Sequence, residues 1–298
     1  MMDTNKLVSV IVPAYNMCAY LPFALQSILD QSYPHFEIHV VDDGSKDATR
    51  EVMDRFLKDI RVHYHYQENR GVSVARNTGI RSAKGDYIAL CDADDMWVPN
   101  KLELQVLCLD NAPQVGVVYT NVSHIDAIGH QVRTYQTQRF SGRITDKLLV
   151  RNFVTGCSSL IRRECFDRLG LYDETLTTGE DYDLWLRISA EYDFLYLGEV
   201  TYLYRQWEGQ VSNSKNEKRF HADAIRIKRD FLAKYPDLVE PGIVDLAWAG
   251  SFVGRGLCTM RCERHRLSAL RDIIRALQHK PTHLPAWKAI VKVLINRV

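Results

Sequence analysis

The first 120 residues alternate short apolar runs with segments in which apolar residues recur every three or four positions. Short apolar runs predict buried β-strands, whereas the three-to-four-residue spacing predicts amphipathic helices. The predicted strands are residues 7–12, 36–41, 60–66, 86–91 and 115–120, and the predicted helices are residues 19–29, 47–57, 72–83 and 99–111. This alternation predicts an α/β fold with a mainly parallel, doubly wound, Rossmann-like sheet and helices on both faces.

The second half of the chain follows a different pattern. Polar, glycine-containing sequence at residues 123–143 predicts a loop or a hairpin, and a strand is predicted at residues 194–204. Helical spacing is present at residues 145–150, 163–169 and 180–190. The chain beyond about residue 216 is predicted to be helical, with interruptions at prolines. We therefore expect one domain at residues 1–215 and a C-terminal helical extension at residues 216–298.

The composition, 46% hydrophobic and 25% charged, is that of an ordinary globular protein. No apolar run approaches the roughly 18 residues that span a bilayer, and the N-terminus lacks a signal-peptide pattern. The seven cysteines form no C-x-x-C pair and show no zinc-like spacing with histidine. Their odd number favours reduced thiols, so we expect a cytoplasmic protein.

The C-terminal region is basic. Residues 250–298 contain ten Lys or Arg and two acids, a net charge of +8, whereas the whole chain has a net charge of +1. Its last segment has apolar residues at helical spacing: Trp287, Ile290, Val291, Leu294 and Ile295. Such a helix can lie peripherally on an anionic membrane, here the inner face of the plasma membrane. A terminal helix packed on the protein is the alternative.

Three carboxylates lie directly after the strand predicted at residues 86–91: Asp92, Asp94 and Asp95. Ligands of open α/β sheets bind at this end of the strands. Like charges this close oppose ionisation unless a cation or hydrogen-bond donors compensate them. The sequence therefore predicts Mg²⁺ or Mn²⁺ bridging substrate phosphates, with a solvated acidic turn, in which Asp95 caps the next helix, as the alternative.

Two neighbouring strand ends favour a nucleotide as the ligand. Asp42 and Asp43 follow the second predicted strand, and such carboxylates can accept hydrogen bonds from a uracil N–H group or ribose hydroxyls. Tyr15, in the Pro-Ala-Tyr-Asn turn after the first strand, could stack on a base. That turn lacks the glycine patterns of dinucleotide and P-loop sites, which leaves a metal as the better partner for a pyrophosphate. Ordinary acidic turns are the alternative.

Six motifs occur in a defined order over residues 7–205. They are Val8-Ser-Val-Ile-Val-Pro-Ala-Tyr-Asn16, Val40-Val-Asp-Asp-Gly-Ser45, Gly71-Val-Ser-Val-Ala-Arg-Asn77, Gly85-Asp-Tyr87, Asp92-Ala-Asp-Asp95 and Gly179-Glu-Asp-Tyr-Asp-Leu-Trp185. In this order they resemble the family 2 glycosyltransferases of the GT-A fold. The chain beyond about residue 215 is outside the resemblance.

The resemblance implies an inverting, metal-dependent transferase that uses Mn²⁺ or Mg²⁺. It would move a sugar from a nucleotide-diphosphate sugar, with a UDP-sugar favoured, to a hydroxyl of a saccharide or lipid-linked saccharide. Surface-polysaccharide assembly is the expected setting. Residues 1–215 would form the catalytic domain, with a nucleotide-binding half at about 1–120 and an acceptor-side half at about 121–215.

The resemblance also implies roles for individual residues. Asp94 would ligate the metal, and Asp181 would be the catalytic base. Groups that bind the nucleotide sugar would be Pro13, Ala14, Tyr15, Asp42, Asp43, Arg76, Asp92 and Ala93. Inversion by direct displacement needs one general base, and the helix dipole at a helix start keeps a carboxylate such as Asp181 ionised.

On the acceptor side, Glu180 and Trp185 are the candidates, although Trp185 could equally be packed in the core. Trp207 stands where relatives often have histidine, so any help that this histidine gives to metal or phosphate binding is in doubt here.

Two rival functions are a catalytically silent sugar-nucleotide-binding or interaction module and a sugar nucleotidyltransferase. The silent module need not retain Asp43, Asp94 and Asp181 together.

A nucleotidyltransferase would be expected to have a glycine-rich basic loop after the first strand, where this chain has Pro-Ala-Tyr-Asn. Nucleic acid is not an expected partner, because the basic charge is confined to a tail with an apolar stripe. The sequence does not indicate an oligomeric state.

Overall fold

The computed structural model describes residues 5–135, 139–210 and 217–295. These residues form two compact units. The first comprises the described residues within 1–143, 153–174 and 191–208, and the second those within 144–152, 175–190 and 209–298. The predicted domain boundary at residues 215–216 lies outside the described residues, so that boundary stays a prediction.

The first unit contains a sheet with the strand order β3-β2-β1-β4-β8-β6-β9-β5, and β7 pairs with β6. The strands are β1 (Val8–Ala14), β2 (Phe36–Asp42), β3 (Val62–Tyr66), β4 (Tyr87–Leu90), β5 (Met96–Trp97), β6 (Val115–Ile125), β7 (Gln131–Tyr135), β8 (Leu160–Arg162) and β9 (Asp193–Arg205). Strands β1 to β4 pair in parallel, as the alternating pattern predicts. Strand β8 is antiparallel to both β4 and β6, so the sheet as a whole is mixed.

The α-helices within the described residues are α1 (Leu21–Leu29), α2 (Thr49–Phe56), α3 (Val72–Ser82), α4 (Lys101–Asp110), α5 (Thr145–Val150), α6 (Arg163–Leu169), α7 (Glu180–Glu191), α8 (Glu217–Lys234), α9 (Pro241–Glu263), α10 (Arg266–His279) and α11 (Leu284–Leu294). Helices lie on both sides of the sheet. The predicted fold class is therefore confirmed, including the C-terminal helices. In the first half the observed ends differ from the predicted ones by one or two residues, as helix ends commonly do, except that β6 extends five residues beyond its predicted end at residue 120.

Two short strands, β5 and β8, were not predicted. Strand β5 has two residues and β8 has three, which is too short for a periodic pattern to be recognised. The segment at residues 123–143 contains the β6–β7 pairing, so the hairpin alternative is confirmed there. Strand β9 pairs with both β6 and β5, and its C-terminal end therefore lies beside the segment that follows β4.

The second unit contains the four C-terminal helices. Prolines separate α8 from α9 and α10 from α11, as predicted. Helix α9 instead ends at Glu263 without an adjacent proline, and the next residue, Arg264, adopts a left-handed conformation with a φ of 53°. Gly256 allows α9 to approach α10, because a Cβ atom there would lie 2.9 Å from the carbonyl oxygen of Ala269. The core formed by these helices comprises Ala249, Val253, Met260, Ala269, Ile273, Ala276, Ala286, Ala289 and Val293.

The terminal helix α11 packs through small residues and exposes large ones. Ala286 and Ala289 are buried, whereas the side chains that point outward are bulky and apolar: Trp287, Val291, Leu294 and Ile295, each 52–59% exposed. Of the predicted apolar stripe, Ile290 packs against the helical core. None of the described helices is both long enough and apolar enough to cross a membrane.

The first unit also contains a buried lysine. Lys101 is fully buried at the start of α4, where its ammonium group donates hydrogen bonds to Gln105 Oε1 (2.6 Å) and to the carbonyl oxygen of Ser158 (3.0 Å). Gln105 in turn donates to the carbonyl oxygens of Val118 and Ser158. Burial lowers the pKa of Lys101 from 10.5 to about 7. This network joins α4 to β6 and to the segment before β8.

We expect Lys101 to make stability depend on pH. Between about pH 7 and 10 the unfolded chain binds the Lys101 proton and the folded chain does not, so the free energy of unfolding rises with pH by about 1.4 kcal/mol per unit from this group. Lys101→Met should remove this contribution. Urea unfolding of both proteins at several pH values in this range measures the difference.

Lys58→Met is the control, because Lys58 is exposed. Its pH dependence should equal that of the wild type. Parallel pH profiles for the wild type and Lys101→Met would show that the Lys101 ammonium group keeps its proton in the folded protein.

Candidate active site

The turn after β1 is fixed by the turn after β2. Asn16, which has a φ of 55°, donates its backbone N–H group to Ser45 Oγ (2.9 Å) and accepts a hydrogen bond from the Lys46 backbone through Oδ1 (2.8 Å). Asp43 N donates to the carbonyl oxygen of Ala14 (2.8 Å). Pro13 is half-buried and Ala14 is buried, whereas Tyr15 is 42% exposed. The turn therefore presents an aromatic ring at the carboxyl edge of the sheet.

The carboxylates after β2 are both buried and hydrogen-bonded. Asp42 is 1% exposed and accepts hydrogen bonds from Ser45 N (2.8 Å) and the Tyr64 hydroxyl (2.6 Å). Asp43 accepts from Gln67 Nε2 and Arg70 N through Oδ1, and from the backbone N–H group of residue 71 through Oδ2. A carboxylate has about four acceptor positions, so Asp43 can accept one further N–H group. Asp42 instead fixes the loop around it.

Helix α3 contributes a buried cation to the same edge. The guanidinium of Arg76 is 5% exposed, donates to Asp92 Oδ1 (3.1 Å) and lies over the ring of Tyr172 (5.5 Å). The Asp92 side chain is 35% exposed, and Ala93 is buried. The structure thus brings together Arg76 and Asp92, which the sequence predicted for the same ligand, and the ion pair orients the partly exposed carboxylate.

The predicted metal ligand Asp94 is half-buried beside the end of β9. Its Oδ2 atom accepts a hydrogen bond from Trp207 Nε1 (2.8 Å), and its carbonyl oxygen accepts one from Arg205 Nε (2.7 Å). The Trp207 ring also lies 5.1 Å from the ring of Tyr20. An indole N–H group cannot ligate a metal, but here it orients the carboxylate that could.

Asp95 has a different role from the helix cap that was considered from the sequence. It is 1% exposed and accepts hydrogen bonds from the hydroxyl group of Tyr202 and from Arg205 N. Burial, together with the charges of Asp94 and Asp92, raises the pKa of Asp95. The cap alternative is wrong, because the side chain points into the sheet toward β9. These partners could not be predicted from the local pattern, because they are more than 100 residues away along the chain.

The second unit contains the predicted base. Asp181 lies in the first turn of α7, one residue after Glu180, and both side chains are half-buried. The turn before them is fixed by Asp223 of α8, which accepts hydrogen bonds from Thr178 N (3.2 Å) and Thr178 Oγ1 (2.8 Å). Asp223 was not identified from the sequence, because nothing local distinguishes it from other acids on a helix.

The prediction that Trp185 contacts an acceptor sugar is wrong. Its side chain is fully buried, and the neighbouring helix residues Leu184 and Leu186 are also fully buried. A buried indole cannot stack on a ligand. The core alternative that the sequence left open is therefore the correct one, because this part of α7 is apolar on most of its circumference.

The donor set after β4 fits a hard divalent cation. Asp92 and Asp94 present partly exposed carboxylates at the carboxyl edge of the sheet, and Asp95 is withdrawn from that edge by its own partners. Mg²⁺ and Mn²⁺ typically bind one or two carboxylates together with substrate phosphates. The first unit therefore offers an exposed aromatic ring, a buried acceptor, an ion pair and a carboxylate suited to a metal. This combination suits a nucleoside diphosphate.

Comparison with known proteins identifies the family. Residues 9–170 match the sequence pattern of the family described as Glycosyl transferase family 2. The chain is 36% identical over 218 residues to an uncharacterised glycosyltransferase of Rickettsia typhi, a match that covers 70% of this chain and 67% of that protein. It is 32% identical to the putative teichuronic acid biosynthesis glycosyltransferase TuaG of Bacillus subtilis, over 72% of this chain and 85% of that protein.

Some relatives are much longer than the matched region. The match covers 32% of a glycosyltransferase of Rickettsia bellii and 28% of the chondroitin synthase of Escherichia coli, to which the chain is 28% identical over 66% of its own length. Whole-protein activities of such relatives are therefore not transferred by the match alone.

Solved structures share the fold. Staphylococcus aureus TarS 1–349 in complex with UDP-GlcNAc is similar with a TM-score of 0.71 over 97% of this chain and 89% of that chain, at 18% identity. The mannosyltransferase PcManGT of Pyrobaculum calidifontis, in complex with GDP-Man and Mn²⁺, is similar with a TM-score of 0.55 over 98% of this chain and 88% of that chain, at 21% identity. Identities this low show a common fold. The family match and the relatives together establish that the chain belongs to the family 2 glycosyltransferases, with the GT-A fold.

Proposed function

We propose that this glycosyltransferase moves a sugar, with inversion at the anomeric carbon, from a UDP-sugar to a hydroxyl of a saccharide or lipid-linked saccharide. One observation supports it most: the turns after β1, β2 and β4 lie at one edge of the sheet and present Tyr15, Asp43 and Asp94. Relatives named for teichuronic acid and chondroitin synthesis favour surface-polysaccharide assembly.

The nucleoside would be bound by the turns after β1 and β2. The exposed ring of Tyr15 offers a stacking surface. The remaining acceptor position of Asp43 suits the N3–H group of uracil, because this N–H group needs an acceptor when the base is taken out of water. Pro13, Ala14 and Asp42 would shape this binding site, since Ala14 and Asp42 are buried.

The diphosphate and the donor sugar would lie near the loop after β4. Asp94 would ligate Mn²⁺ or Mg²⁺, and the bound ion would neutralise charge on the leaving diphosphate. Arg76 places a second positive charge beside Asp92, which would accept hydrogen bonds from ribose or donor-sugar hydroxyls while Ala93 shapes the site. The TarS complex with UDP-GlcNAc and the PcManGT complex with Mn²⁺ support this assignment for proteins of the same fold.

Asp181 would be the general base, with Glu180 beside it on the acceptor side. The acceptor oxygen attacks the anomeric carbon, the bond from that carbon to the diphosphate oxygen breaks, and the hydroxyl proton moves to the Asp181 carboxylate. Attack on the face opposite the leaving group inverts the configuration. The Asp223 contacts to Thr178 hold the turn that leads into α7, so they would position the base.

The exposed face of α11 would bind an anionic membrane surface, where a lipid-linked acceptor would be found. The bulky apolar side chains of α11 point outward, whereas the small residues on its other face pack against the protein. Lys288 and Lys292 lie on the same helix, and the surrounding region of the chain is strongly basic. Apolar side chains flanked by cations are the pattern of interfacial helices.

We expect Asp181→Asn to lower kcat by about 10²- to 10⁴-fold, because the variant cannot accept the proton. Binding of the nucleotide should persist. Turnover is measured as UDP release, and nucleotide binding by calorimetry. Asp183→Asn is the matched control, since Asp183 lies on the same helix and pairs with Arg187 (2.7 Å). Asp181→Asn turnover equal to that of Asp183→Asn would exclude Asp181 as the base.

We expect Mn²⁺ to strengthen UDP binding through Asp94. At a UDP concentration 100 times its Kd in the presence of Mn²⁺, UDP should stabilise the fold by about 2.7 kcal/mol, and the same UDP concentration should stabilise it less without Mn²⁺. Asp94→Asn should abolish the effect of Mn²⁺, whereas Trp207→Phe, which removes the donor that orients Asp94, should weaken Mn²⁺ binding by about 10- to 100-fold. Thermal unfolding with UDP and GDP, each with and without Mn²⁺, measures these shifts. An unchanged Mn²⁺ effect in Asp94→Asn would contradict the assignment.

We expect the wild type to sediment with vesicles containing phosphatidylglycerol but not with phosphatidylcholine vesicles. The double variant Val291→Ser, Leu294→Ser should weaken this binding by about tenfold or more. Leu238→Ser, which changes an apolar residue 43% exposed outside α11, is the control. Equal vesicle binding by the double variant and the control would contradict the proposal. So would a wild-type dimer that the control retains and the double variant loses, because the exposed face of α11 would then bind a second copy of the chain.

A further inference from the structure

Helices α8 and α9 bring together four metal-ligating side chains that the sequence separates. Glu217 and His221 are four residues apart on α8, and Cys258 and Cys262 are four residues apart on α9. Residues at this spacing share one face of a helix. About 37 residues separate the two pairs, a spacing with no zinc-like sequence pattern, and the packing of α8 against α9 makes them neighbours.

Three of the four ligand atoms lie close together, and the fourth, Cys262 Sγ, lies beside Cys258 Sγ. The ligand atoms of Glu217, His221 and Cys258 all lie within 4.8 Å of one another. The Sγ atoms of Cys258 and Cys262 are 3.8 Å apart, which is about the separation that two Zn–S bonds of about 2.3 Å impose in a tetrahedron. His221 Nε2 lies 3.9 Å from Glu217 Oε1, about half an ångström more than tetrahedral Zn–N and Zn–O bonds require. Side-chain rotations of Glu217, His221 and Cys262 would be needed to bring the four atoms to tetrahedral distances.

The imidazole of His221 rests in a space that a glycine keeps open. A Cβ atom at Gly254 would lie 2.7 Å from His221 Cε1, so any side chain there would displace the ring. Gly250, one turn earlier on α9, has no such neighbour within 4 Å. A helix interior disfavours glycine relative to alanine by about 1 kcal/mol. Gly254 is therefore explained by the position of the ring.

The charges around the four side chains suit an anionic zinc complex. With both thiols ionised, Zn²⁺ bound by two cysteines, one neutral histidine and one glutamate has a net charge of −1. The Arg261 guanidinium contacts Glu217 Oε1 (2.8 Å) and would offset this charge. The Cys258 side chain is buried and Cys262 is exposed, so the site has an open side through which an ion can enter.

We propose that Glu217, His221, Cys258 and Cys262 form a structural Zn²⁺ site that joins α8 to α9. Binding would release the two thiol protons to solvent. Four protein ligands leave no position for a substrate, which is typical of structural rather than catalytic zinc. The site would fix the first turns of α8, the helix whose Asp223 holds the turn before Asp181.

Within the described residues, Glu37, His39 and His63 form another group of metal-ligating side chains, and it fits a metal less well. The His39 ring is stacked on those of His63 and His65, with angles of 29° and 17° between the planes. The in-plane lone pairs of stacked imidazoles are nearly parallel, so they cannot converge on one ion. His39 Nδ1 and His65 Nε2 are instead hydrogen-bonded to each other at 3.0 Å.

The test uses the full chain purified with its metal. We expect about one zinc ion per chain by elemental analysis, and a lower thermal midpoint after removal of the metal by a chelator. Co²⁺ added to the metal-free protein should produce thiolate-to-cobalt charge-transfer bands and the visible bands of a tetrahedral site. Mass spectrometry of the unreduced protein detects the rival state, a Cys258–Cys262 disulfide, as a loss of two hydrogens.

The variants of Cys262 and Gly254 are each compared with a control variant of the same residue type. Cys262→Ser and His221→Gln should each lower Zn²⁺ affinity by about tenfold or more, and Cys262→Ser should also reduce the cobalt thiolate bands. Cys108→Ser, which removes a thiol of the first unit, should change neither the Zn²⁺ affinity nor these bands. Gly254→Ala should weaken binding and Gly250→Ala should not. Absence of cobalt thiolate bands, identical spectra for Cys262→Ser and Cys108→Ser, or a quantitative disulfide would each overturn the proposal. UDP binding by the first unit does not depend on this result, so failure here leaves the transferase assignment intact.

Discussion

The buried carboxyl group of Asp95 is the constraint on which the donor side of the active site depends. Its hydrogen bonds with the Tyr202 hydroxyl and Arg205 N join the loop after β4 to the end of β9. A carboxyl group buried beside two other carboxylates would cost several kcal/mol without such donors. Because Asp95 is held inward, Asp92 and Asp94 remain at the carboxyl edge of the sheet, where one pairs with Arg76 and the other with Trp207.

Much of the fold could be predicted from the sequence because the first unit obeys simple periodic rules. Buried parallel strands are short, continuous apolar runs, and strand ends of a parallel sheet meet at one edge. Asp42, Asp43, Asp92, Asp94 and the turn at Tyr15 could therefore be placed on that edge from the sequence. Strands β5 and β8 could not be predicted, since two or three residues show no period.

The parts that could not be predicted depend on contacts between distant segments. Asp92, Asp94 and Asp95 look alike in sequence, and only the approach of β9 distinguishes the buried one. Trp185 was open to two interpretations because an amphipathic pattern does not show how much of a helix circumference is covered. The Cys258–Cys262 pair had no recognisable metal spacing, because its proposed partners are contributed by another helix. Local sequence cannot encode which helix faces will meet.

The proposed function requires the carboxyl edge of the first unit to bind a nucleoside diphosphate through a metal. A crystal structure of the protein with UDP and Mn²⁺ tests that claim most directly. We expect the uracil ring against Tyr15 with its N3–H group on Asp43, and Mn²⁺ held by Asp94 beside the diphosphate. UDP bound on another face, or Mn²⁺ held without Asp94, would contradict it.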